Sequence, residues 1–396
     1  VGVIERKISL DYILNHYSRT PVKKMKPMIR NSLRMGLYQI LYMDAVPDSA
    51  ACNESVKLIA RRYRPLKGFV NGLLRNIARH RQEALSLLKD ASPGIRYSMP
   101  DWLMKEWSKR FGREGCESIC KSFLAPRKTC IRVNLARISV EDLIEKLEGE
   151  GVSVLRSRDL DYALYISGYD SIKKLPSYRE GLFYVQDISS MLVAERAPVR
   201  GGSRGLDVCA APGGKSLHAA DILKGSGKVL AFDISEAKLK LIEDNKKRCA
   251  FENIHIGLAD ASVLKPELVD SADVVIADLP CSGLGIIGKK PDIKYNTSYD
   301  AIIALSKIQR QILDNVSQYV KKGGRLVFST CTVTDIENLQ NRDYFLKKHK
   351  DFRPLNLSAK LSTMDCDTKE KGYVQLLPNR HGSDGFFISV YERDLE

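Results

Sequence analysis

Two cysteines in this chain stand where nucleophilic chemistry is done. Asp278-Leu-Pro-Cys281-Ser-Gly-Leu-Gly285 follows one Val/Ile-rich run, and Ser329-Thr330-Cys331-Thr332 closes the next. Runs of that composition read as buried parallel strands. Ligands of such sheets sit at the carboxyl ends of the strands, so both thiols are expected to converge on one crevice. A lone cysteine is ordinarily a small buried apolar residue, and Cys52, Cys116, Cys120, Cys130, Cys249 and Cys366 are read that way. Packing explains poorly two cysteines just beyond neighbouring strand ends, one of them in a Pro-Cys step. Catalysis by a thiolate explains them better.

A second group is built for a cofactor. In Leu206-Asp-Val-Cys-Ala-Ala-Pro-Gly-Gly-Lys-Ser216 a strand enters a glycine turn and then a helix. Gly213 and Gly214 let the backbone come close to a ligand. The next strand ends at Asp233, about 20 residues on, where an acidic residue suits a ribose diol. NAD and S-adenosylmethionine share this layout. The turn has no GxGxxG, and Pro212 occupies one of its positions.

These groups need a frame. The chain has 396 residues, 44% of them apolar, and a formal charge of +15. That length predicts two or three domains, and the composition excludes wholesale disorder. No apolar run is long enough for a membrane span, and Val1–Arg6 is not a signal peptide. Nine cysteines without a CxxC pair argue against a disulfide framework and a zinc site. A reduced, cytoplasmic monomer without metal is expected. Residues 1–100 hold 18 Lys/Arg against 7 Asp/Glu, most of the excess, which points to a polyanionic partner.

Residues 1–90 read as an all-α unit. Ile29, Leu33, Leu37, Ile40 and Leu41 recur at helical spacing over Met28–Met43. A second helix runs from Asp48 or Ser49 to about Arg64, and a third from about Phe69 to Leu88. Residues 91–175 mix helices with short strands, an α+β module. From 176 to 396 strands and helices alternate in a doubly wound α/β domain. Its strands are expected at 205–209, 228–233, 253–257, 272–277 and 324–329.

The strings CAAPGGK (209–215), ADLPCSGLG (277–285), KKPDIKY (289–295), FSTCTV (328–333) and SDGFF (383–387) resemble the Sun/Fmu family of RNA 5-methylcytosine methyltransferases. Residues 34–62 and 66–79 resemble the NusB-like helical domain of its small-subunit rRNA members. Residues 100–112 and 132–137 resemble their middle RNA-binding module. The helical domain of the family normally begins with further helices, so the chain is expected to start inside it. The resemblance implies a Rossmann-like methyltransferase domain, S-adenosylmethionine as cofactor and 16S rRNA as substrate. It makes Cys331 the thiol that attacks carbon 6 of cytosine. Cys281 then assists proton removal or release; the rival assignment makes Cys281 the nucleophile. The cofactor is implied to lie on Cys209, Ala210, Ala211, Pro212, Gly213, Gly214 and Lys215, with Asp233, Asp260 and Asp278.

Asp278 is expected to meet the base edge or the reactive end of the cofactor, or else to be a strand-end helix cap. Asp260 alternatively caps a helix. Lys215 meets the methionine carboxylate or the active site, or is simply solvated. Arg132, Asn134, Gln186 and Asp187 are candidates for holding phosphates or a flipped base, and Lys289, Lys290 and Lys294 for phosphate. Arg61 and Arg62, with Arg64 and Lys67, are the candidates on the helical unit. Where the family carries Pro-Glu-Glu-Asn after its second cysteine, this chain has Asp335-Ile336-Glu337-Asn338, so one peripheral contact is expected to differ. The competing readings are a tRNA cytosine methyltransferase and a catalytically silent NusB-like RNA- or protein-binding protein.

Overall fold

The helix expected around Met28–Met43 spans Pro27–Tyr42, and its five recurring apolar residues are all buried. Pro27 opens it, where a missing N–H costs nothing. The computed structural model describes residues 1–196, 202–358 and 366–395. They form two units: Val1–Ala125 with Ile287–Asn296, and Pro126–Ile286 with Thr297–Glu396.

The first unit is helical. Lys7–Tyr17, Pro27–Tyr42, Asp48–Ala60, Lys67–Arg79 and Arg81–Asp90 surround a core that includes Leu10, Ile13, Leu33, Leu37, Ile59, Leu74 and Ile77. The single helix expected over 69–88 is broken at His80. Its N–H closes on the Asn76 and Ile77 carbonyls, and its Nδ1 lies 2.8 Å from the Asn76 oxygen. The helix Asp101–Phe123 also belongs to this unit. So does the excursion Ile287–Asn296: the Lys294 ammonium donates to the Glu5 carbonyl at 2.8 Å, and the Tyr295 hydroxyl lies 3.1 Å from Ser98 Oγ.

The second unit holds two sheets. Strands β1 (Thr129–Val133), β2 (Ser153–Arg156), β3 (Ala163–Ser167) and β4 (Phe183–Val185) form an antiparallel sheet in the order β2-β3-β1-β4. The helix Val140–Gly149 shares a core with it through Leu143, Leu147, Ile131, Leu164 and Phe183.

The larger sheet contains the five expected parallel strands: β5 (Arg204–Asp207), β6 (Lys228–Asp233), β7 (Ile254–Leu258), β8 (Ala272–Asp278) and β9 (Val320–Thr330). The C-terminal part adds β10 (Phe352–Pro354), β11 (Tyr373–Leu376) and β12 (Phe386–Arg393), which no sequence pattern had singled out. The order is β10-β12-β9-β8-β5-β6-β7, with β11 on β12. β12 is antiparallel to β9, so the sheet is mixed. The strand order reverses between β5 and β8, which opens a crevice at their carboxyl ends. Among the described residues no helix is long and apolar enough to cross a membrane.

Candidate active site

β8 and β9 run in parallel register, with Asp278 opposite Ser329. Cys281 lies three residues past Asp278 and Cys331 two past Ser329, so the ladder delivers both thiols to one place. Their sulfurs are 3.4 Å apart. Contact with the Cys331 sulfur, then burial, push the Cys281 thiol well above its ordinary pKa. Cys281 therefore stays protonated, able to offer a weak S–H donor to its neighbour.

Lys215 is not simply solvated. Its ammonium meets Asp278 Oδ2 at 2.5 Å, and Ser329 Oγ donates to Asp278 Oδ1 at 2.8 Å. Burial alone would lower the Lys215 pKa. The Asp278 carboxylate outweighs it, with Asp207 and Cys331 adding to the rise, so the shift is upward. The lysine is a cation held by Asp278. Asp278 is not a simple strand cap; it is the anionic partner of that cation.

The 209–215 turn is formed largely by backbone. Ala210 N–H donates to the Phe232 carbonyl at 2.9 Å, and Gly213 N–H to the Ala210 carbonyl at 2.7 Å. Gly213 has φ = 105° and caps the helix Gly214–Ile222, a conformation that favours glycine. Asp233 holds the turn from β6: its Oδ2 accepts from Ala211 N–H at 3.0 Å, and Lys238 Nζ lies 3.0 Å from Oδ1. Asp260 accepts from the N–H and hydroxyl of Ser262 at 2.8 and 2.7 Å in a local turn, and no helix begins there for it to cap.

Asp207 escaped the sequence reading. It is buried at the end of β5 and accepts from Ser216 Oγ at 2.6 Å, while its Oδ1 has no partner. Burial raises its pKa to about 6. The available signal was a carboxylate inside an otherwise apolar strand end. A bare glycine turn, the strand-end carboxylate Asp233 and an orphaned buried acceptor fit a cofactor with a ribose and a cationic group.

Three residues expected at an RNA surface are placed elsewhere. Arg132 is 2% exposed; its Nη1 lies 3.0 Å from Asp221 Oδ2 and its Nε donates to Gln186 Oε1 at 2.9 Å. Asn134 is buried and donates to the carbonyls of Gly181 and Cys249. These contacts tie β1 and the residue after it to the helices Gly214–Ile222 and Glu236–Cys249. Lys294 is 1% exposed on the Glu5 carbonyl. Each spends its donors internally, which removes it from phosphate binding. Lys289, Lys290, Arg61 and Arg62 are exposed. Asp187 ties the SDGFF segment instead: its Oδ1 accepts from Asp384 N–H at 3.0 Å, and Arg127 lies 3.0 Å from the Asp384 carboxylate.

Family models match three consecutive stretches. Residues 1–79 match the NusB family, 99–173 the ferredoxin-like domain of RsmF/B-like methyltransferases, and 197–392 the 16S rRNA methyltransferase RsmB/F. The chain is 36% identical over 394 residues to a probable ribosomal RNA small subunit methyltransferase B of Bacillus subtilis, covering 98% of this chain and 87% of the relative. A protein of the same description from Synechocystis is 33% identical over 396 residues, at 98% and 88% coverage. Among solved structures, PH0851 superposes with a TM-score of 0.84 at 28% identity, covering 99% of this chain and 88% of that one. With two thiols meeting beyond neighbouring strand ends and relatives at this identity over nearly the whole chain, the chain belongs to the RsmB/F family of methyltransferases.

Proposed function

We propose that this enzyme transfers a methyl group from S-adenosylmethionine to carbon 5 of a cytosine in small-subunit rRNA, through a covalent bond between Cys331 and the base. The observation that carries it is the 3.4 Å Cys281–Cys331 pair beside the Lys215–Asp278 ion pair. Carbon 5 of cytosine is a poor nucleophile. Addition of the Cys331 thiolate to carbon 6 turns the ring into an enamine whose carbon 5 can accept a methyl group. The cofactor, when bound, supplies that methyl group on a sulfonium. The 209–215 turn, Asp207 and Asp233 hold the cofactor, and Asp260, two residues past β7, lies toward its adenine side. Lys215 is the cation of the site, and Asp278 orients it and meets the reacting groups. Water takes the carbon-5 proton, the C5–H electrons restore the C5=C6 double bond, and the C6–S bond breaks to release Cys331 as a thiolate. Cys281, protonated beside it, assists this second half by donating its S–H to the departing sulfur. The target base must leave its stack to be attacked at these carbons.

The helical unit supplies RNA affinity, with exposed Arg61, Arg62 and Arg64 on phosphate together with Lys67. The rRNA assignment rests on the relatives' names and on that basic unit. The test is methylation with tritiated S-adenosylmethionine on 16S rRNA, assembled small subunits and tRNA, followed by bisulfite mapping. The expected result is one 5-methylcytosine in 16S rRNA. Labelling confined to tRNA would overturn the substrate, and no labelling of any RNA would overturn the activity.

A further inference from the structure

Glu337 is fully buried, and four neutral donors converge on its carboxylate. Ser282 N–H and Gln309 Nε2 reach Oε1 at 2.8 and 3.1 Å; Ser282 Oγ and Thr334 Oγ1 reach Oε2 at 2.5 and 2.8 Å. Gln309 Nε2 also donates to the Pro280 carbonyl at 2.8 Å. The residues on both sides of Cys281 are thus gripped through one carboxylate. Asn338, next in sequence, does the same for the other thiol. Its Oδ1 accepts from Thr330 Oγ1 at 2.6 Å, and its Nδ2 donates to the Thr332 carbonyl at 3.1 Å. Those two residues flank Cys331. The Ser282 and Thr332 hydroxyls meet at 2.7 Å, closing the two grips on each other. Asn341 completes the frame from Gln309 Oε1 to the Glu337 carbonyl, at 2.7 and 3.0 Å.

We infer that Glu337 and Asn338 are positioning residues that set the distance between the two catalytic thiols, Glu337 acting through Cys281 and Asn338 through Cys331. The inference rests on the thiol chemistry proposed above. An ionised carboxylate is an acceptor only, with room for four donors, and four are supplied. An amide at the same place puts two N–H groups where Oε2 accepts from the Ser282 and Thr334 hydroxyls, so both hydroxyls must turn their hydrogens away. The grip on the Cys281 loop then weakens and the thiols separate.

The test is Glu337→Gln in the full-length enzyme. Turnover should fall about tenfold or more, the scale of losing hydrogen bonds to a buried charge. Affinity for S-adenosylmethionine, set at the 209–215 turn, should stay within about twofold. Enzyme joined to methylated RNA should accumulate, as in Cys281→Ala. Adding Glu337→Gln to Cys281→Ala should then change the adduct little, because a residue acting through Cys281 has nothing left to position. Wild-type turnover in Glu337→Gln, or fully additive losses in the double variant, would overturn the inference. If Glu337→Gln folds poorly, Thr334→Val, which removes one donor, should move each readout the same way by less, and no movement there would also count against it. Iodoacetamide labelling of the two thiols, read by mass spectrometry, needs no RNA activity. Cys331 should label faster than Cys281 in the wild type, and Glu337→Gln should narrow that ratio. A wild-type enzyme that methylates no cytosine sinks the functional reading while the labelling ratio still decides this one.

Discussion

The two halves of the site are built differently. The 209–215 turn presents main-chain groups and bare glycines, with carboxylates only at the flanking strand ends, Asp207 and Asp233. The cysteine loops are held by buried side chains: Glu337, Asn338, Gln309 and Asn341. Backbone packs tightly there too. A Cβ on Gly285 would collide with the Gly385 carbonyl, and Gly385 N–H donates to the Gly285 carbonyl at 2.9 Å. The difference follows from what each half must do. A cofactor can be cradled by main chain that substitution leaves in place, so damage there appears as lost affinity through the few carboxylates. A nucleophile must be held at one distance and in one charge state, so damage there appears in rate.

The sharpest way to break that contrast is Lys215, the cation at the border of the two halves. Lys215→Met should lower turnover about 100-fold, the scale of removing one preorganised electrostatic group from an active site. Asp278 raises the Lys215 pKa, so the ammonium stays charged well into the alkaline range and the wild-type rate should not fall there through its loss. A pH–rate profile checks it; wild-type turnover in Lys215→Met would separate Lys215 from the chemistry. Asp233→Ala should act on the other half alone. Affinity for S-adenosylmethionine should weaken roughly tenfold, since a hydrogen bond to a charged group is worth about 1.5–3 kcal/mol, with turnover at saturation nearly unchanged. Calorimetry that found unaltered affinity, or binding of NAD, would contradict the cofactor assignment. The smallest effect is expected away from both halves. Reversing Arg61, Arg62, Arg64 and Lys67 should flatten the salt dependence of RNA binding, by about 0.7 to 0.9 in log–log slope per lost phosphate contact. It should raise the RNA concentration needed without slowing the chemical step. An unchanged slope would leave these side chains as a solvated face.

Local patterns carried most of the frame. Apolar periodicity located the Pro27–Tyr42 helix, and Val/Ile-rich runs located β5 to β9, because both signals are written in neighbouring residues. Cys281, Cys331 and Asp278 were legible because strand ends and parallel pairing convert sequence position into proximity. The remainder depended on partners far along the chain. Arg132 reads as a basic strand residue, and only the fold shows Asp221, 89 positions away, neutralising it. Lys294 sits in a motif beside the catalytic loop, yet its hydrogen-bond acceptor is the Glu5 carbonyl. The break at His80 has no glycine or proline to announce it. β12, which inserts antiparallel beside β9, is as apolar as a buried parallel strand, so composition alone does not give its direction. Glu337 looked peripheral in the sequence because a carboxylate's donors cannot be read from its neighbours.

The central claim, that Cys331 attacks and Cys281 serves the later half of the reaction, has a direct measurement. Cys331→Ala and Cys281→Ala are each incubated with RNA and S-adenosylmethionine, and the enzyme–RNA adduct is resolved on a denaturing gel. Removing a residue needed only for the second half-reaction leaves the first intact, so its intermediate builds up. Cys281→Ala should give a slow-migrating band containing methylated RNA, and Cys331→Ala should give neither a band nor methyl transfer. A band with Cys331→Ala that vanishes with Cys281→Ala would reverse the roles, and no band in either variant would contradict the covalent mechanism.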